Sequence, residues 1–268
     1  MTPMPEDIVV SIVLPSYNSS QALSLRVPLL QSHVRDMKMS HEIIIADDGS
    51  TDGGDTHTVA KTLGCVYVAN ALNTGKGEAL RIGMNKARGR FRIYTDADIP
   101  YGGEAIERVL WYLDHKEFHV VAGDRTLEGA SYSHRVSLLR RAGSRVMSFL
   151  VGRFFAGGWF DTQCGIKGFR DHVAEDLFGV SRINRFAIDV EILYLALKRN
   201  YDIKRLPVSL EFQGETSVRP LRDGLQIMLD IARIRNNQLL GRYRPRSNVV
   251  RVVDSYAEWK SIGRPEKR

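Results

Sequence analysis

Cysteine is scarce in this sequence: Cys65 and Cys164 are the only two, far apart and each set among apolar neighbours. That argues against a disulfide framework and for a reducing compartment. Long apolar runs are missing as well, since none approaches the roughly 18 residues of a membrane-spanning helix. The opening stretch, MTPMPEDIVVSIVLP, has no basic residue ahead of its apolar run and does not read as a secretory leader. The chain is therefore expected in the cytosol, or peripherally on the cytosolic face of a membrane. Low-complexity tracts, internal repeats and linker-like stretches are also absent. One continuous domain is expected over residues 1–243, with a donor-side half at about 8–124, an acceptor-side half at about 125–243 and a basic tail at 244–268.

Of the 268 residues, 43% are hydrophobic and 26% charged, enough for a full core under a soluble surface. The net charge of +7 is unevenly placed. Residues 1–218 hold 26 Lys+Arg against 26 Asp+Glu, whereas residues 219–268 hold 12 against 5. A second basic block, with Arg135, Arg140, Arg141, Arg145 and Arg153, contains no acid between residues 130 and 160. Solvated basic faces are the simpler reading of such blocks; an anionic lipid surface is the sharper one.

Near-continuous runs rich in Val and Ile at residues 7–14 (DIVVSIVL) and 42–46 (EIIIA) suit strands buried on both faces of a parallel sheet. Residues 65–68, 91–94 and 118–122 read the same way. Helices are expected at 21–37, 55–63, 77–87 and 103–115, and this alternation predicts an α/β, doubly wound, mostly parallel sheet with helices on both faces. Further on, the pattern predicts a basic amphipathic helix at 137–155, a short strand with turns at 161–169, a helix at 186–200, a strand at 203–210 and a helix at 220–240. In the 137–155 stretch, Leu138, Ala142, Val146, Phe149 and Leu150 recur at helical spacing.

In open α/β sheets, ligands sit beyond the carboxyl ends of the strands. Here those ends are Pro15-Ser16-Tyr17-Asn18, Asp47-Asp48-Gly49-Ser50 and Thr95-Asp96-Ala97-Asp98. Any one of them suits a turn or a cap; their convergence predicts a concave acidic site. On extended backbone Asp96 and Asp98 would point to one side, and such hard oxygen ligands suit Mg²⁺ or Mn²⁺ bridging a diphosphate. Asn73-Thr74-Gly75-Lys76-Gly77 opens a helix, where glycines permit close approach and the N-terminus favours an anion. Lys76 is a candidate phosphate or ribose contact there.

The segments VSIVLPSYNSS, IIIADDGSTDG, NTGKGEALRIGM and YTDADIP, in this order, resemble family 2 glycosyltransferases of the GT-A fold. DTQCGIKGF followed by RFAIDVEILYLA resembles the dolichyl-phosphate β-glucosyltransferase and polyprenyl-phosphate glycosyltransferase branch. The resemblance spans residues 9–243. It implies that Pro15, Tyr17 and Asp48 contact the base and ribose of a nucleotide-sugar donor, that Asp96 lies near ribose and metal, and that Asp98 coordinates the metal. Asp161 and Asp189 fall at acidic positions on the acceptor side and are the candidate catalytic pair. Arg125, Arg140 and Arg219 fall at basic positions that would hold a lipid phosphate. Two departures stand out. Pro100 occupies the place where related mannosyl-transferring enzymes carry a Gln, and the transmembrane segments of many relatives are missing.

The implied reaction is inverting transfer of a hexose, glucose from UDP-glucose by resemblance, to a polyprenyl phosphate. A phosphate monoester with a second pKa near about 6 needs orientation more than deprotonation, and arginines supply that orientation. A soluble saccharide or protein acceptor is the alternative. A sugar nucleotidyltransferase would need a Gly-rich basic loop after the first strand, which LPSYNSS lacks. No nucleic-acid partner is expected, since neither exposed sheet aromatics nor a recognisable RNA motif is evident.

Overall fold

The computed structural model describes residues 8–130, 161–212 and 220–244. Seven strands form one sheet: β1 (Val10–Ser16), β2 (His41–Asp47), β3 (Val66–Ala69), β4 (Phe91–Tyr94), β5 (Val120–Asp124), β6 (Lys167–Arg170) and β7 (Ile203–Pro207). Their spatial order is β3-β2-β1-β4-β6-β5-β7. Every pairing is parallel except the two made by β6, which runs antiparallel to β4 and β5. The sheet is thus mostly parallel, and β6 enters it from the opposite end.

The apolar runs form strands because both sheet faces are covered. Ile12, Leu14, Ile43 and Ile45 face one core with Leu23, Val27, Val109 and Leu110 of α1 (Ser20–Asp36) and α4 (Gly102–His115). Val13 and Ile44, one residue out of step, face the other core with Leu80 and Met84 of α3 (Lys76–Lys86). That second core also takes Val173, Leu177 and Phe178 of α5 (Asp171–Val180), Ile188 and Ile192 of α6 (Ile188–Lys198), and Ile231 and Ile234 of α7 (Pro220–Leu239). A short α2 (Asp55–Thr62) packs beside α1.

Several expectations shift. The strand expected at 161–169 is only Lys167–Arg170, and residues 161–166 are turns and irregular backbone leading into it. The strand expected to reach residue 210 ends at Pro207. Helix α5 was not expected, although Val173, Ala174, Leu177 and Phe178 carry helical spacing behind Asp171 in the first turn. The amphipathic helix expected at 137–155 and the tail beyond residue 244 lie outside the described residues. No helix among the described residues is long and apolar enough to cross a membrane.

Candidate active site

Strand β1 is central, hydrogen-bonded in parallel to β2 and β4, so the carboxyl ends of all three strands share one sheet edge. The pairing of β1 with β4 stops at Val13 and Tyr94, and Pro15 lies beyond it, where a missing N–H costs no bond to β4. Asp48 N–H then donates to Ser16 O at 2.8 Å, and Thr95 N–H to Val13 O at 3.2 Å, carrying the chain ends outward together. Tyr17 follows, 44% exposed, with an aromatic side chain suited to a flat ligand. Asn18 ties this end to the next: its N–H donates to Ser50 Oγ at 2.8 Å, and its Oδ1 accepts from Thr51 N–H at 2.7 Å. Ser16 Oγ and Thr95 Oγ1 are buried at this edge without a hydrogen-bond partner, as expected of groups that a ligand or ordered water completes.

Asp48 is buried and already engaged. Its Oδ1 accepts from Asn70 Nδ2 (3.0 Å), Thr74 N–H (3.1 Å) and Thr74 Oγ1 (3.2 Å), and its Oδ2 from Gly75 N–H (2.6 Å). The carboxylate therefore shapes the loop before α3, and its capacity toward a ligand is limited to what Oδ2 has left. The glycines of Gly75-Lys76-Gly77 serve the chain's own packing. Gly75 has φ +117°, and a Cβ there would lie 2.4 Å from Asn184 O; at Gly77 a Cβ would lie 2.2 Å from Ile183 O. Gly77 N–H donates to Asn184 O at 2.7 Å. The start of α3 is thus capped by a backbone carbonyl, which corrects the expectation that these glycines and this helix terminus would face an anion. The side chain of Lys76 is the part of the loop that reaches the site.

Lys76 Nζ lies 2.7 Å from Asp96 Oδ1 and 3.4 Å from Asp189 Oδ2. Asp189, in the first turn of α6, is enclosed: its Oδ1 also accepts from Lys167 Nζ and from Tyr94 Oη, each at 2.6 Å. Lys167 is fully buried on β6, and its ammonium also donates to Cys164 O at 2.7 Å. Burial by itself would raise the Asp189 carboxyl; the Lys167 and Lys76 ammoniums and the hydrogen bonds to it outweigh burial and hold it below the usual carboxylate range. The result is a chain of alternating charge, Lys167, Asp189, Lys76, Asp96, running from the core to the sheet edge. Lys167 and Tyr94 escaped the sequence reading because a lone Lys in GIKGF and a Tyr in FRIY carry no signal until β6 is placed beside β4.

Asp96 and Asp98 do not lie on extended backbone, because β4 ends at Tyr94. Ile99 N–H donates to Asp96 O at 2.9 Å and Ile99 adopts φ +46°, so the pair sits in a turn and the strand argument for their common direction does not hold. The Asp96 carboxylate packs on Gly165, where a Cβ would lie 2.0 Å from its Oδ2. Asp98 is half-buried in the same turn.

Asp161 and Arg125 are partners of each other. The Arg125 guanidinium donates from Nε to Asp161 Oδ2 (2.9 Å) and from Nη2 to Oδ1 (2.7 Å), and its backbone N–H donates to Oδ2 (2.7 Å). Burial would raise the Asp161 carboxyl, but these bonds and the guanidinium charge bring it below the ordinary range. The fork retains further donors on a side chain that is 28% exposed. Arg140 and Arg219 lie outside the described residues.

The described residues contain no group of three His, Cys, Asp or Glu side chains arranged to hold a metal ion. Asp96 and Asp98 supply hard oxygens only, a donor set that fits a small divalent cation whose remaining positions are filled by water and phosphate oxygens.

Residues 11–178 match the family model described as glycosyl transferase family 2. The chain belongs to that family. It is 30% identical to dolichyl-phosphate beta-glucosyltransferase of Dictyostelium discoideum over 90% of this chain and 78% of that one. It is 31% identical to the Homo sapiens protein of the same name, over 87% and 77% respectively. Among solved structures, this family 2 member is similar to glucosyl-3-phosphoglycerate synthase from Mycobacterium tuberculosis, crystallised with Mn²⁺, UDP-glucose and phosphoglyceric acid. That likeness has a TM-score of 0.64 at 20% identity, covering 90% of this chain and 82% of that one, and it establishes the shared GT-A fold.

Proposed function

We propose that this glycosyltransferase moves glucose from UDP-glucose to a polyprenyl phosphate, with inversion at the anomeric carbon and with a divalent cation, Mg²⁺ or Mn²⁺, at the donor. The observation that carries the reading is the 30–31% identity to dolichyl-phosphate beta-glucosyltransferases along nearly the whole chain, acceptor half included. The Mn²⁺ and UDP-glucose bound by the structural neighbour support the donor and the cation.

In this reading Tyr17 and the end of β1 face the base and ribose, Asp48 holds the loop that frames them, and Asp96 and Asp98 would hold the cation. The cation's contribution, when bound, is to offset negative charge on the departing diphosphate. Lys76 adds a fixed positive charge on the same side. Asp189 and Asp161 would be weak bases, since cationic partners hold each carboxyl below its usual range. A phosphate acceptor needs no such base. Asp189 acts as the seat for Lys76, and Asp161 holds the Arg125 fork for the acceptor phosphate, a role that the family resemblance also gives Arg140 and Arg219. The acid-free arginine block and the basic last fifty residues favour work at an anionic membrane surface.

Incubation with UDP-[¹⁴C]glucose, Mn²⁺ and both polyprenyl phosphate and 3-phosphoglycerate as competing acceptors tests the proposal. Label is expected in the organic phase, released by mild acid as glucose, and abolished by EDTA. Labelling of 3-phosphoglycerate with no organic-phase product would overturn the lipid acceptor, and full turnover in EDTA would overturn the cation.

A further inference from the structure

The Lys76 ammonium is paired with the carboxylate that a cation at Asp96 would need. It is 2.7 Å from Asp96 Oδ1, and its side chain is only 14% exposed, so water does little to screen it. A divalent ion approaching Asp96 meets a carboxylate that is already paired with a lysine and a like charge beside it. The described residues offer too few side-chain ligands to hold that ion without oxygens from elsewhere. Both facts disfavour binding of the ion alone, and both are relieved by the same event: a diphosphate brings oxygen ligands for the ion and negative charge for the lysine.

Lys76 also has somewhere to go. Asp189 Oδ2 is 3.4 Å away on the other side of the ammonium. Asp189 itself cannot follow an outward movement, because Lys167 and Tyr94 pin its Oδ1 from the core. The lysine therefore stands between a fixed carboxylate inside and a half-buried one nearer the sheet edge.

We propose that Lys76 is a nucleotide-operated gate on the cation site: it occupies Asp96 while the donor site is empty and yields that carboxylate only when a nucleoside diphosphate arrives. The inference rests on the reading above that Asp96 binds a divalent cation. The gate makes cation and nucleotide mutually dependent, and linkage requires the dependence to be equal in both directions. Lys76 is thereby a positioning residue for the cation, in addition to any contact it makes with phosphate.

The test is a Mn²⁺ titration followed by the electron paramagnetic resonance of free Mn²⁺, on wild type, Lys76→Gln and Lys76→Arg, each with and without saturating UDP. Wild type is expected to bind Mn²⁺ at least about tenfold more tightly with UDP than without. Lys76→Gln is expected to raise UDP-free Mn²⁺ affinity by about tenfold and to shrink the UDP effect, whereas Lys76→Arg, which keeps the charge, is expected to retain the block. If Lys76→Gln binds Mn²⁺ no more tightly than wild type without UDP, the gate is wrong while the cation site stands. If wild type takes up no Mn²⁺ even with UDP, the cation site fails, and the gate with it.

Discussion

At Gly165 the chain brings a bare Cα against the Asp96 carboxylate, and a methyl group there would lie 2.0 Å from Oδ2. The clashing atoms are the end of a rotatable side chain, so Gly165→Ala should displace the carboxylate and leave the backbone in place. The expected outcome is a Mn²⁺-supported UDP affinity reduced by about tenfold or more, read by calorimetry, with a Tm within about 3 °C of wild type. Asp48→Ala should behave differently. Its carboxylate accepts four hydrogen bonds from Asn70, Thr74 and Gly75, so urea unfolding should show a loss of about 1–3 kcal/mol accompanied by weaker donor binding. The polar strand end was legible in ADDGS; what its oxygens do was not. Their partners lie over twenty residues away in a loop whose path depends on Asn184 capping α3.

Elements were more legible than contacts. Runs such as EIIIA announce a strand covered on both faces, and the alternation of Ile43 and Ile45 against Ile44 between two cores bears that out. What the pattern could not convey was the direction of β6, because four residues carry no sign of parallel or antiparallel pairing. That direction decides the chemistry, since it sets Lys167 against Asp189 in the sheet centre. Lys167→Met would leave the Asp189 carboxylate with one cation fewer in a dry environment. It should destabilise the fold by about 3–5 kcal/mol in denaturant unfolding, far more than substitution of an exposed lysine such as Lys61.

Among the described residues, the buried carboxyls of Asp189 and Asp161 are, like that of Glu42, held below their ordinary range, in these two by lysine and arginine partners respectively. Between their folded and unfolded pKa values the unfolded chain binds more protons, so stability rises with pH in that window. Their contribution is complete above the unfolded value near about 3.9 and is lost as pH falls through the folded values. Buried Glu191 and Asp176 are shifted upward by desolvation and work in the opposite sense, so their cost is relieved on acidification. Asp161→Asn should therefore flatten the dependence of unfolding free energy on pH below about pH 4, whatever it does to stability at neutral pH. An unchanged slope would mean that Asp161 titrates alike in both states.

The antiparallel course of β6 has an evolutionary consequence. Strand β5 ends and β6 begins at the same edge, and the Arg125–Asp161 fork fastens the two stems together there. Residues 125 and 161 are thus held together by their own side chains rather than by the chain that joins them. Doubling the length of a flexible connection between two such stems adds only about 0.6 kcal/mol of closure entropy. Between stems fastened in this way, lineages of the fold can lengthen or shorten the connecting chain at little thermodynamic cost.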